Sequence, residues 1–294
     1  MPYFSVITPS FNQGPYLAAC LDSVLAQNDA DFEHLVFDNV SSDETPQVLA
    51  KYPHLKTTIE RDRGQSDAIN QGFLAASGEI ICWLNSDDAY PEGTFKRLRE
   101  IFHDPAVDVA FGDVLQVGYD GSAPLHMPAR FQRKEDLVRW WSSEARLHQP
   151  AIFFRRSVRE KVGLLREDLH YAMDYEYWWR MAQFYSFHYY PEVLAIQHRQ
   201  PDSKTIMDWS KVFVERERIF SPFYDTISGG NLGALMQEKR QIMAKRYLDE
   251  AFQYAAASPS AARRAFFRAL REDAAYALHF RSLGILTRMM RLRR

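Results

Sequence analysis

Between Tyr3 and Val114, five short apolar or β-branched runs alternate with segments whose apolar residues recur at helical spacing. The runs are YFSVIT, HLVFDN, KTTIE, EIICWL and VDVAFGDV. The helical faces between them carry Leu17, Cys20, Leu21, Val24 and Leu25, then Ala68, Ile69, Gly72, Phe73 and Ala76, then Phe95, Leu98, Ile101 and Phe102. SSDETPQVLAKY reads as a further helix, with Ser41, Ser42 or Asp43 near its start, and Gly78 stands where the helix before EIICWL should stop. Regular strand–helix alternation leaves few options, because parallel neighbours need a crossover and a helix is the usual one. A largely parallel α/β sheet flanked by helices is the expected fold.

In such a sheet ligands bind at the carboxyl ends of the strands. Polar residues converge there: Thr8, Pro9 and Ser10 after the first run, Asp38 and Asn39 after the second, and Asn85, Ser86, Asp87 and Asp88 after the fourth. Two adjacent carboxylates repel one another and are costly to desolvate, so a cation or solvent should face Asp87 and Asp88. Neither GxGxxG nor GxxxxGK[ST] follows the first run, which removes the usual dinucleotide cradle and the P-loop. The competing reading is local: Asp87 and Asp88 in a turn, Asp67 and Asp174 at helix starts, Asp38 simply ending a strand.

The alternation fades after about Gly121, and from about Asp208 the pattern is mainly helical. Residues 1–207 are expected to form one domain of two parts, about 1–121 and about 122–207, with 208–294 a helical extension. That extension ends in a basic tail. Nine arginines face only Glu272 and Asp273 from Pro259 on, a net of +7, so a chain of formal charge −2 has a body of −2 − 7 = −9. The spacing of Leu283, Leu286, Met289 and Met290 suits a packing helix or an anionic membrane surface better than nucleic acid. Cys20 and Cys82 fall in apolar patterns and read as reduced core thiols. With no basic leader and no run of about 18 apolar residues, the chain reads as cytoplasmic, peripheral at the inner face of the membrane at most.

Four ordered stretches carry a resemblance: SVITPSFNQGPYLAACLDSVLAQ, DNVSSDET, DRGQSDAINQGFLAASGEIICWLNSDD, and HQPAIFFRR followed by MDYEYWWRMA. Together, over about Pro2 to Thr205, the chain resembles family 2 of the inverting glycosyltransferases with a GT-A fold, a Rossmann-like nucleotide-diphospho-sugar transferase with a mixed, mostly parallel sheet and here a helical C-terminal extension. The resemblance implies a metal-dependent enzyme that moves a sugar from a UDP, GDP or dTDP donor to a hydroxyl of a glycan or lipid-linked acceptor, as in cell-surface polysaccharide synthesis. It implies that Thr8, Pro9, Ser10, Asp38, Arg63, Asp67, Asn85, Ser86 and Asp87 border the nucleotide sugar. NSDD resembles the DxD metal site, with Asn85 where the first aspartate often stands, leaving Asp87 and its neighbour Asp88 for Mg2+ or Mn2+. Asp174 resembles the catalytic base, although Met173 replaces the glutamate often found before it.

The chemistry suits those residue types. Magnesium and manganese bind through one or two carboxylates plus substrate phosphates, and an acceptor hydroxyl attacking an oxocarbenium-like C1 needs a carboxylate base. His148, Tyr175 and Trp178 are candidates for the acceptor side, with Trp178 and Trp179, like Trp140 and Trp141, weighed between sugar stacking and core packing, which aromatic residues at helical spacing more often serve. His198 is a candidate ligand, with Arg199 and Lys204 as diphosphate contacts by charge. The alternative from another class is a catalytically inactive GT-A-like scaffold that binds nucleotide or a partner; a nucleotidyltransferase is disfavoured by the missing glycine-rich loop.

Overall fold

The computed structural model describes residues 1–118, 122–142, 144–199 and 209–277. Among the described residues eight strands form one sheet: β1 (Phe4–Ser10), β2 (Phe32–Asp38), β3 (Lys56–Ile59), β4 (Ile80–Trp83), β5 (Val109–Gly118), β6 (Leu125–Met127), β7 (Ile152–Arg155) and β8 (Phe187–Arg199). Helices α1 (Gly14–Leu25), α2 (Thr45–Leu49), α3 (Gln65–Ala75) and α4 (Thr94–Phe102) fill the first half. After them come α5 (Glu135–Val138), α6 (Arg156–Val162), α7 (Met173–Met181) and α8 (Trp209–Phe220).

The strand order is β3-β2-β1-β4-β7-β5-β6, with β8 paired to β5. β1 to β4 are mutually parallel, and β5 and β8 are parallel to each other. The sheet becomes mixed because β7 enters antiparallel between β4 and β5, and β6 pairs antiparallel to β5. The apolar run AIFF supplies that intruding strand, and because it is covered on both flanks and faces it shows no alternation.

Every residue of β1 is buried, as expected of a strand with neighbours on both sides and helices on both faces. On one face Phe4, Val6, Ile80 and Cys82 pack with Cys20 and Val24 of α1 and with Phe95, Leu98, Ile101 and Phe102 of α4. On the other, Phe73 of α3 meets Trp83, Phe154 and Tyr177 edge-on or stacked, with ring centroids 5.6 to 6.4 Å apart. Gly72 is required where α3 presses on the sheet, since a Cβ there would lie 2.2 Å from Ile7 Cγ2. Gly78 does not end α3 in a left-handed cap as expected: the helix stops at Ala75, Ala76 is extended, and Gly78 instead lets the chain pass the β1 backbone, where a Cβ would sit 2.8 Å from Phe4 C and Ser5 N. Both cysteines are buried free thiols.

At the edge opposite the strands' carboxyl ends, the Glu33 carboxylate accepts from Ser5 Oγ at 2.6 Å, Ser77 N at 2.7 Å, Ser77 Oγ at 2.8 Å and Lys56 Nζ at 2.7 Å. Burial works against its charge, but these donors win and hold its pKa down to about 2. The stabilisation is therefore full above the ordinary glutamate value of about 4.5 and is lost as pH falls from there through about 2. Glu33→Gln should cost about 2 kcal/mol at pH 7, with the gap to wild type closing over that acid window in denaturant titrations. A gap that is absent at pH 7, or that widens on acidification, contradicts this account.

Two compact units share the chain: Met1–Leu137 with Glu144–Ile219, and Val138–Ser143 with Phe220–Arg294. The second contains α9 (Tyr224–Ile227), α10 (Leu232–Ala257) and α11 (Pro259–Glu272), and α10 starts on Asn231, whose side chain accepts from Ala234 N at 3.0 Å. Trp140 and Trp141, weighed above as cleft residues, belong to this unit's own packing. Trp140 Nε1 donates to Tyr224 Oη at 3.1 Å, Trp141 Nε1 to Glu238 Oε1 at 3.2 Å, and Arg139 pairs with Glu238. No helix among the described residues is long and apolar enough to cross a membrane. The basic tail from His279 on, and Lys204, lie outside the described residues.

Candidate active site

The carboxyl ends of β1, β2 and β4 lie side by side, so their following loops form one edge. Thr8 is wholly buried and its hydroxyl lies 2.9 Å from His34 Nε2; burial lowers the His34 pKa to about 3, which keeps that ring neutral. Pro9 is buried beside it, and the Ser10 hydroxyl is buried with no protein partner. The Asp38 carboxylate accepts from Ser41 N at 2.8 Å and Ser41 Oγ at 2.6 Å, closing the turn after β2. Ser41 Oγ in turn accepts from Asn12 N at 2.8 Å, and Asn12 Oδ1 accepts from Ser42 N at 2.9 Å. Asn12 and Val40 adopt φ of +51° and +49°, a left-handed turn in each loop that these cross-links hold.

The loop after β4 is fastened from three directions. Asn85 Oδ1 accepts from Trp83 Nε1 at 3.1 Å and Gln65 Nε2 at 3.2 Å, while its Nδ2 donates to Gln149 Oε1 at 2.8 Å. Gln149 Nε2 donates back to Trp83 O at 2.6 Å. Asn85 thus acts as the hub that orients the loop, and its side chain is spent on protein partners. Gln149 and Gln65 stand inside the quoted stretches but received no role in the sequence reading, because a glutamine carries no charge signal.

Beyond Asn85, Ser86 and Asp88 are buried and Asp87 is partly buried. Ala89 and Ile196 exchange backbone hydrogen bonds of 3.0 and 2.7 Å, tying the loop to β8, and His198 Nδ1 lies 2.8 Å from Asp87 O. The His198 ring thus meets the backbone of the loop that carries the acids. Desolvation raises the pKa of Asp87, and desolvation together with the Asp87 charge raises that of Asp88 well above the carboxylate range. Two acids so disfavoured as anions, one buried and one partly buried, form a donor set suited to a hard divalent cation. Among the described residues no three His, Cys, Asp or Glu side chains are grouped to hold a metal. An ion held here would complete its shell with phosphate and water, the habit of Mg2+ and Mn2+.

The N-terminal turn of α3 faces the segment leading into α7. Gly64, at φ +127°, lets the chain turn into the helix, and Arg63 N and Nη2 donate to the two oxygens of Asp67 at 3.0 and 2.9 Å. Arg63 holds the Asp67 pKa below its ordinary value, so the two expected nucleotide contacts first satisfy each other. Arg63 Nη2 also reaches Glu167 Oε1 at 3.0 Å across a small cleft bordered by Gln65, Ser66, His170 and Met173. Ser66 Oγ donates to Leu169 O at 3.3 Å, and the Asn70 amide brackets Leu165, donating to its O at 3.0 Å and accepting from its N at 2.8 Å.

Asp174 lies in the first turn of α7 and accepts from Tyr175 N at 2.7 Å. Desolvation raises its pKa, with the Arg216 guanidinium opposing. Tyr175 is 8% exposed with that guanidinium 3.7 Å from its ring centroid, so it is available only at its rim. Trp178 is a correction to the sugar-stacking expectation: it is wholly buried, packed on Trp83, Phe154 and Tyr177 at 5.8 to 6.4 Å. Helical spacing places it on the face of α7 that covers the sheet. Burial lowers the His148 pKa to about 4, and its buried Nε2 has no protein partner.

The family model described as Glycosyl transferase family 2 matches residues 5–163, more than half of the chain. A PGL/p-HBAD biosynthesis glycosyltransferase of Mycobacterium bovis is 33% identical over 170 residues, covering 55% of this chain and 62% of that protein, so the match spans less than two thirds of the relative. Among solved structures, S. aureus TarS 1-349 in complex with UDP-GlcNAc has a TM-score of 0.58 at 17% identity, covering 94% of this chain and 90% of that one. The mannosyltransferase PcManGT from Pyrobaculum calidifontis, in complex with GDP-Man and Mn2+, has a TM-score of 0.56 at 22% identity, covering 98% and 86%.

Proposed function

Since this chain belongs to glycosyl transferase family 2 and is a glycosyltransferase with a GT-A fold, we propose that it transfers a sugar from a nucleoside diphosphate to an acceptor hydroxyl, with inversion and with a divalent cation. The observation that carries this reading is a continuous set of hydrogen bonds. They run from the loop of Asp87 through Asn85 and Gln65 to the start of α3, and from Ser66 and Asn70 to the segment that delivers Asp174. The loop that carries the carboxylate pair and the segment that leads to the separate, desolvated carboxylate are both tied to α3, which supports a reading in which the two act on one bound donor.

The division of labour follows from charge. Asp87, with Asp88 behind it, holds the cation, which would offset the charge developing on the departing diphosphate. The loops bearing Ser10, Asp38, Arg63 and Asp67 border the nucleotide. Asp174 removes the proton from the acceptor oxygen as that oxygen attacks C1 from the face opposite the leaving diphosphate. Desolvation suits Asp174 to this task, because a raised pKa makes a carboxylate a stronger base. The acceptor class proposed is a glycan or lipid-linked hydroxyl, as in cell-surface polysaccharide synthesis.

Calorimetry with UDP, GDP and dTDP, each with manganese and with chelator, tests the donor side. One nucleotide should bind at least about tenfold more tightly with manganese, a difference of about 1.4 kcal/mol. Equal or absent binding of all three under both conditions sinks the reading.

A further inference from the structure

Helix α7 has no side-chain acceptor at its N-cap position. Its N-cap residue is Ala172, whose side chain can accept nothing, and the N–H groups of His170, Tyr171 and Ala172 point out of the turn that precedes it. One carboxylate collects all three: Glu215 Oε1 accepts from His170 N at 2.8 Å, and Glu215 Oε2 from Tyr171 N at 2.7 Å and Ala172 N at 2.9 Å. Successive N–H groups in such a turn form an anion nest, and the helix dipole favours the same negative charge.

Glu215 belongs to α8, which lies beyond the residues that the family match covers. Its neighbours on α8 hold the same stretch. Lys211 Nζ lies 5.7 Å from the Tyr171 ring centroid, Arg216 stacks 3.7 Å from that of Tyr175, and Arg218 Nη2 donates to Asp168 O at 3.1 Å and Asp168 Oδ2 at 2.9 Å. Residues on both sides of Asp174 are thus fastened to α8, and the compact unit that holds the site runs on through Ile219.

We propose that Glu215 is a positioning residue for the transfer reaction: as a cap supplied from α8, it fixes the first turn of α7 and so the place of the Asp174 carboxylate. The inference rests on Asp174 being the base. A proton acceptor must lie within hydrogen-bond reach of the attacking hydroxyl, and a displacement of about 1 Å costs on the order of 100-fold in rate. Capping by a side chain from a different helix makes that placement depend on α8.

The test uses the full chain and Glu215→Gln, which keeps the shape but sets an NH2 against donors, with Glu215→Asp as the conservative variant. Amide hydrogen exchange across 170–176 should quicken at least tenfold in Glu215→Gln while β1 to β4 exchange as in wild type. Turnover of UDP-GlcNAc or GDP-mannose, whichever wild type uses, should show kcat at least tenfold lower with KM for the donor unchanged, and Glu215→Asp should recover part of it. Wild-type exchange across 170–176 in Glu215→Gln overturns the cap. Faster exchange with unchanged kcat overturns the positioning role if Asp174→Asn is inactive; if Asp174→Asn is active as well, the base assignment has failed.

Discussion

Asp174→Asn is expected to lower kcat for transfer by about 10³-fold while leaving nucleotide affinity within twofold of wild type. Asparagine preserves the hydrogen bond that the side chain accepts from Tyr175 N and the start of α7, but cannot take the acceptor's proton. The pH profile adds a second signature. Desolvation raises the Asp174 pKa, with Arg216 opposing and Glu215 adding to the rise. A base works only when deprotonated, so wild-type kcat/KM should fall on acidification through a pKa above the ordinary aspartate value of 3.8. That acidic limb should vanish in the residual activity of the variant. Steady-state transfer at saturating donor, followed across pH, makes the comparison; full activity in purified Asp174→Asn removes the base assignment.

The second large effect is at Asp87. Asp87→Asn should abolish manganese-dependent nucleotide binding and reduce transfer by several orders of magnitude, since the loop would keep its shape but lose the carboxylate that holds the cation. Stability should move the other way. Burial raises the folded-state pKa of Asp87, so its anion is a net liability to the folded chain at neutral pH, and Asp87 in turn pushes up the pKa of Asp88. Replacing it by a neutral amide should raise Tm in metal-free buffer while activity disappears. This is the pattern expected where function, not folding, maintains a pair of like charges. A lower Tm with activity retained would mean that Asp87 serves the turn and nothing more.

Much of the edge formed by β1, β2 and β4, where the donor is proposed to bind, was legible before any tertiary structure. The runs at Tyr3, His34, Lys56 and Glu79 became strands because each is short, apolar or β-branched and followed by a helical periodicity, and the run at Val107 became one as a further short apolar segment; that local signal survives folding. The carboxyl-edge rule then brought Ser10, Asp38 and Asp87 to one side. The acceptor side was less legible. Aromatic residues at helical spacing suit a sugar platform and a core equally well, and only the sheet beneath α7 settles Trp178 as core. His198 carried little weight as a single histidine. It gained a place beside Asp87 through the pairing of β8 with β5 and the Ala89–Ile196 bridge, contacts between residues distant in sequence.

The order of strands and helices through Val114, the absence of a glycine nest for phosphate and the presence of paired acids after a buried strand were all determined by the sequence alone, because each rests on spacing within a few residues. Tertiary structure decided which polar groups are spent on the scaffold and which are left for chemistry. Asn85 is consumed by Trp83, Gln65 and Gln149, Asp67 is bound by Arg63, and α7 receives its missing cap from Glu215. Hydrogen-bond satisfaction depends on partners brought in from distant elements, and such pairings leave no periodic mark on a chain.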